Sequence, residues 1–287
     1  MLQTENAMQV DPATDSAVAR NSISNSAPRA RTRPVVRSSY LVERLFATPE
    51  NNLFNYVKFH LVNDHIKACK LDDARLMDIG CGLQVARRFI EALNPDVRYY
   101  GIDYEASFAP DAVVDLNVKG ALRKPMQWKP DVVMLLDVLE HLHEDESDLS
   151  QVIRHVAESM SGDARLIITV PQWYRLDRFK LAHLHYPEHK IRLTQGEWKR
   201  LIEEHFDIQT IQGVGFLSVI PYLPMAFKRY TPDNALGRLF THMRSKTFEK
   251  RWIKPLDLFL SRTLGRIGPF KHLSNDILIV ATPRNRA

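Results

Sequence analysis

The sequence predicts an α/β fold, with a seven-stranded, mostly parallel sheet, helices on both faces, and a basic, largely helical insertion between the last two strands. Three observations predict it. Short apolar runs of strand length alternate with stretches of helical periodicity from Arg75 to Phe206. One run, Asp131–Leu136 (DVVMLL), is apolar without alternation, as a strand buried on both faces requires. A third signal is the glycine turn Gly80-Cys81-Gly82, which ends the first strand just before a helical pattern begins.

The elements follow in order. Residues 1–38 are rich in Ser, Asn, Ala, Pro and Arg with almost no apolar periodicity, and read as a disordered tail. The tail lacks the apolar stretch of a signal peptide, and Glu5, Asp11 and Asp15 argue against an organellar presequence. Tyr40–Lys70 predicts a helix capped by Thr48, with Pro49 at its first position and Leu53, Val57 and Leu61 on one face. Leu76, Met77 and Ile79 mark the first strand, and Val85, Phe89, Ile90 and Leu93 the helix after the turn. Tyr99–Ile102 is a second strand that stops on Asp103, and Ala112–Leu116 a short third one containing Asp115. The fourth strand, Asp131–Leu136, runs into Asp137-Val-Leu-Glu140-His141. A helix over 148–160 ends at the turn Ser161-Gly162-Asp163, and Pro171 closes a fifth strand, Arg165–Val170. Thr194 with Glu197 is the signature of a capping box, opening a helix to about Phe206. Ile208–Ile211 and Ile277–Ala281 complete the sheet.

Strand, glycine turn, helix, strand and terminal acid make the unit that holds an adenosine cofactor at the carboxyl edge of a parallel sheet. Asp103 lies 21 residues past Gly82. About 20 is expected for an acid that accepts hydrogen bonds from both ribose hydroxyls. A dinucleotide fingerprint needs a third glycine, but that position is Val85; nor does a Gly-Lys-Ser/Thr phosphate loop follow. Asp78 stands instead two residues before the first glycine.

This D-x-G-x-G pattern resembles motif I of the class I S-adenosylmethionine (SAM) methyltransferases, whose ligand carries a cationic amino-acid tail and no phosphate. The resemblance spans roughly 70–214 and 275–283 and implies a Rossmann-like fold with SAM as cofactor. It also implies cofactor contacts from Asp78, Gly80, Cys81, Gly82, Asp103, Tyr104, Asp115, Leu116 and Asp137, with Asp115 placed where the family often meets the adenine amino group. The domains expected are the tail 1–38, a methyltransferase domain of 39–214 with 275–287, and the insertion 215–274.

Asp137-x-x-Glu140-His141 looks like the family's motif after the fourth strand. If the chain turns helical there, spacings of three and four residues project all three groups to one side. Ubiquinone-biosynthesis O-methyltransferases share the pattern, which implies a divalent cation helping to deprotonate a phenol-type hydroxyl. Small-RNA 3′-terminal 2′-O-methyltransferases hold Mg²⁺ with a similar Glu-His pair and a later histidine, a place that His189 takes here. Many other methyltransferases keep the pair without a metal. His141 is therefore the candidate base, no metal is expected, and Glu140, His141 and His189 form the alternative metal set. Nucleobase N-methylation is disfavoured, since its Asp/Asn-Pro-Pro-aromatic motif is missing after the fourth strand. O-methylation of a small-molecule or lipid-like acceptor leads, with an RNA 2′-O-methyltransferase the alternative and a non-catalytic SAM-fold binding protein third.

Two cysteines, Cys69 and Cys81, make no disulfide framework and suit a reducing cytosol, with peripheral membrane contact compatible. The net charge of +5 hides an asymmetry. Gly215–Ser274 holds eleven Lys/Arg against Asp233, Glu249 and Asp257, hence +8, whereas 39–214 carries −6. A loop this long either has a function or has structure of its own. Val214–Phe227 is apolar but too short and too proline-broken to span a bilayer. Apolar residues from Leu236 to Leu264 then interleave with Lys and Arg, Pro255 dividing them into two helices. The insertion reads as a helical cap, a substrate lid, an anionic-membrane docking surface or an RNA-binding face, with membrane expected ahead of nucleic acid.

Overall fold

The computed structural model describes residues 52–69, 72–172, 189–218 and 252–284. Seven strands form one sheet: β1 (Arg75–Ile79), β2 (Arg98–Asp103), β3 (Ala112–Val113), β4 (Val132–Leu136), β5 (Arg165–Pro171), β6 (Phe206–Val214) and β7 (Asp276–Pro283). Their order is β3-β2-β1-β4-β5-β7-β6. The first five pair in parallel, while β7 is antiparallel to both its neighbours, β5 and β6. β1 sits between β2 and β4, so the direction of winding reverses there. Ligands of open α/β sheets bind at such a reversal, beyond the carboxyl ends of the strands. The reversal brings the turns after β1 and β4 together.

Side chains that alternate along each strand divide the core into two layers. Leu76, Val132, Met134, Ile167 and Val280 face α1 (Leu53–Lys67), α2 (Val85–Leu93) and α6 (Ile253–Thr263). Met77, Val133, Leu135 and Ile168 face the other way, onto α3 (Arg123–Met126), α4 (Glu146–Ser159) and α5 (Gln195–Glu203). The predicted Rossmann-like sheet with helices on both faces is thus present among the described residues.

Two details differ from the sequence reading. β3 is two residues long instead of five, because Asp115 turns the chain: its Oδ1 accepts from both the N–H and the side-chain amide of Asn117, each at 2.9 Å. Thr48 and Pro49 lie outside the described residues; α1 is capped by Asn52, whose Oδ1 accepts from the N–H groups of Phe54 and Asn55. Pro255 sits in the first turn of α6, where a missing N–H breaks no helical hydrogen bond; the helix expected before it lies outside the described residues. The tail 1–38 and residues 219–251 also lie outside the described part.

The Thr194–Glu197 capping box forms as read, with α5 ending at Glu203 and Phe206 opening β6. α6, in turn, is tied to the body. Ile253 and Leu258 join the α1 layer, Arg262 pairs with Asp64 at 2.8 Å, and the buried Asp257 carboxylate accepts from the N–H groups of Phe216, Leu217 and Ser218 at 2.7, 2.9 and 3.1 Å. No helix among the described residues is long and apolar enough to cross a membrane.

Candidate functional site

The turn after β1 is shaped by close packing. Gly80 has φ +76°, and a Cβ there would lie 2.6 Å from Val138 Cγ2, so only glycine lets the two turns meet. The N–H groups of Gly80 and Cys81 both donate to the Ile102 carbonyl, at 2.8 and 3.1 Å, which fixes the turn over the end of β2. Gly82 has φ +50° and open space around its missing Cβ. Its N–H donates to Asp103 Oδ2 at 2.9 Å, while Asp103 Oδ1 accepts from the Glu105 N–H at 3.0 Å. An ionised carboxylate has about four acceptor positions, so about two remain for a ribose diol. The predicted site residues Gly80, Cys81, Gly82 and Asp103 are therefore one hydrogen-bonded unit.

Other predicted residues sit less directly. Asp78 is buried beneath the turn and accepts from the Tyr99 hydroxyl, and burial raises its carboxyl to about 6. Burial also pushes the Cys81 thiol up to about 12, with Asp78 and Asp103 adding to the effect, so Cys81 is a packing residue and not a nucleophile. Its room comes from Gly101, where a Cβ would stand 2.9 Å from Sγ. Tyr104 is 73% exposed beside Asp103. Asp115 and Leu116 occupy the turn after β3, Asp115 exposed and bonded to Asn117, Leu116 half-buried against the α4 layer.

Past β4 the backbone enters the left-handed region at Asp137, φ +57°, an uncommon conformation for a residue with a side chain. Three groups hold it there. Its N–H donates to the Thr169 carbonyl at 3.0 Å, the Thr169 hydroxyl donates to Oδ1 at 2.7 Å, and Lys58 Nζ donates to Oδ2 at 2.6 Å. The Lys58 side chain is only 6% exposed and lies over the rings of Phe54 and Phe59. Lys58, Thr169, Gly101 and Val138 pack against the predicted site residues and were missed by sequence reasoning. Only Gly101, a glycine inside a strand, carried a local signal of close approach.

A single 3₁₀ turn, Leu139–His141, follows. It starts after Asp137, so the expected three-residue projection fails: Asp137 is held toward α1 and β5, and the groups that converge are Glu140, His141 and His189. One ligand-type atom from each of these three lies within 4.8 Å of the others. Glu140 is buried, its Oε1 is 3.8 Å from His141 Nε2, and its Oε2 has no hydrogen-bond partner among the described residues. Burial first, and then the charge of Asp137, drive the Glu140 carboxyl well above its ordinary range. The Glu140 carbonyl accepts from the N–H groups of Lys190 and Ile191, at 2.8 and 3.3 Å, which brings His189 edge-on to His141 with ring centroids 4.9 Å apart. Two imidazoles and a carboxylate in this arrangement can move a proton, and the same donor set fits a divalent cation.

Residues 41–211 match a family model described as a methyltransferase domain. A comparison with curated proteins finds no match. Among solved structures, the chain is similar to an S-adenosylmethionine-dependent methyltransferase from Clostridium acetobutylicum, at 9% identity and a TM-score of 0.49, over 84% of this chain and 94% of that one. It is also similar to the PH0226 protein of Pyrococcus horikoshii, at 12% identity and a TM-score of 0.45, over 85% and 98% of the two chains. The methyltransferase domain of bacterial CtHen1-CN aligns at 14% identity and a TM-score of 0.47, over 80% and 100%. With its family model covering more than half the sequence, this chain belongs to the class I SAM-dependent methyltransferases, and S-adenosyl-L-methionine is its cofactor.

Proposed function

We propose that the protein moves a methyl group from SAM to a hydroxyl of a small-molecule or lipid-like acceptor. In this reading 39–214 with 275–287 is the methyltransferase domain and the insertion 215–274 faces the acceptor. The supporting observation is the convergence of Glu140, His141 and His189 past the end of β4, where Val138 meets the glycine turn at Gly80. A hydroxyl is a weak nucleophile and must lose its proton, whereas a neutral amine needs no such help.

Asp103 would accept from the ribose hydroxyls, with Gly80 and Gly82 allowing the backbone close to the cofactor. Lys58 and Asp137, opposite charges 2.6 Å apart, complement the carboxylate and ammonium of the cofactor's amino-acid tail. Tyr104, Asp115 and Leu116 would flank the adenine, and Cys81 and Asp78 support the turn from below. When bound, SAM supplies an electrophilic methyl. His141 takes the acceptor's proton, and Glu140 and His189 set its orientation and charge. Proximity provides most of the acceleration, and base assistance about 10²–10⁴-fold more.

Release of S-adenosylhomocysteine should be measured across a panel of phenols, aliphatic alcohols and amines. Turnover of hydroxyl acceptors that His141→Ala lowers at least about 100-fold, with SAM affinity retained, is the expected result. Methylation confined to amines overturns the reading.

A second reading has its own support. The buried Glu140 Oε2, unpartnered among the described residues and beside two imidazoles, suits a metal ligand set, as in the RNA 2′-O-methyltransferase alternative. Activity that a chelator abolishes and Mg²⁺ or Zn²⁺ restores, together with turnover of a short RNA, would put it first.

A further inference from the structure

We propose that the outer face of α6 and the turns after it, Trp252 to Leu273, docks on the surface of an anionic lipid bilayer. Nine large apolar side chains are exposed among the described residues, and six of them fall here: Trp252, Leu256, Phe259, Ile267, Phe270 and Leu273. Phe259 and Leu273 are 60% and 61% exposed. α6 is already covered on one side, where Ile253, Asp257, Leu258 and Ser261 are buried. Its outer side should then be polar, as on an ordinary surface helix. Instead Trp252, Leu256 and Phe259 recur there at helical spacing.

The charges point to the occupant. Over the same stretch the cationic residues are Lys254, Arg262, Arg266 and Lys271, and the one acid, Asp257, is fully buried under the Gly215–Ser218 turn. Arg262 is paired with Asp64, so this face joins its apolar surface to the positive charges of Lys254, Arg266 and Lys271, the combination that binds an anionic interface. A tryptophan at the start of the stripe suits headgroup depth. Single-stranded RNA also attracts cations, but it binds apolar side chains by stacking on aromatic rings. Leu256, Ile267 and Leu273, half of this set, offer no ring. No described helix can cross the bilayer, so the protein would lie on the surface. The proposal does not depend on which acceptor is methylated.

The full chain should be sedimented with phosphatidylcholine vesicles, with and without a minority of phosphatidylglycerol. Retention is expected only on the anionic vesicles, weakening as salt rises from about 0.1 to 1 M and the screening length shrinks from about 10 to about 3 Å. The pair of exposed substitutions Leu256→Ser and Phe259→Ser should lower the partition coefficient at least tenfold while SAM affinity, read by calorimetry, stays the same. Equal retention on neutral and anionic vesicles would overturn the proposal, as would retention that the double variant does not change. Absence of retention overturns it too, and sedimentation equilibrium and RNA titration then show whether a second copy or a nucleic acid takes the face.

Discussion

Asp78 is a carboxyl group kept out of water, and its titration should be visible in the stability of the whole protein. Burial raises it to about 6, against about 3.9 in an unfolded chain. Between these values the folded state holds the proton and the unfolded state does not, so stability falls as pH rises through about 4 to 6. The two-unit difference corresponds to about 3 kcal/mol at neutral pH. Asp78→Asn keeps an acceptor for the Tyr99 hydroxyl and removes the titration. It should raise the melting temperature at pH 7.5 and flatten its pH dependence between 4 and 6; a variant less stable at pH 7.5 would show that the charged form is the supported one. Lys58 gives the second test at this scale. Lys58→Met should weaken SAM binding about tenfold to a hundredfold, the usual cost of losing a hydrogen bond to a charged group. Binding of 5′-methylthioadenosine, which lacks the amino-acid tail, should not change. A loss for both ligands would make Lys58 a packing residue only. Asp103 and the two glycines were legible in the sequence as one turn because their partners lie along one short segment. Lys58 was not, because its partner lies 79 residues away and nothing local separates it from other helical lysines.

At the scale of elements, what the sequence revealed is what neighbours along the chain decide. The capping box of α5 is such a case: Thr194 and Glu197 satisfy each other across one turn, so three residues of spacing suffice to recognise it. Thr194→Ala should cost about 1 kcal/mol, read as a lower urea midpoint with unchanged slope, and Thr194→Ser should restore most of it. An unchanged midpoint would mean that the burial of Trp198, Leu201 and Ile202 alone holds the helix. The turn after β4 is the opposite case. Helical spacing suggested that Asp137, Glu140 and His141 act together, but Asp137 takes a positive φ to reach Lys58 and Thr169, and helical geometry begins only at Leu139. Partners on α1 and β5 overrode the local pattern. β3 failed as a five-residue strand for a local reason, the Asx turn at Asp115, which apolar periodicity does not register.

Across the whole molecule, the basic insertion and the acidic body were read from sequence as separable, one serving the acceptor and the other the cofactor. Their packing joins them. α6 lies on α1, and α1 carries Lys58 to Asp137 at the end of β4, so α6 supports the helix that holds this ion pair. Charge counting could not show this, because the link depends on one buried acid. Asp257 accepts from three consecutive N–H groups where β6 leaves the sheet, and its removal would leave those donors without their acceptor. Asp257→Ala should therefore cost about 3 kcal/mol or more in unfolding free energy, at about 1–3 kcal/mol for each donor left unsatisfied. It should also speed amide exchange along α1 and weaken SAM binding, although Asp257 belongs to another helix than Lys58. Leu256→Ser, one residue away but on the outer side of α6, serves as the control and should change none of these. If Asp257→Ala lowers stability while α1 exchange and SAM affinity hold, α6 is an appendage and the acidic body binds its cofactor without it.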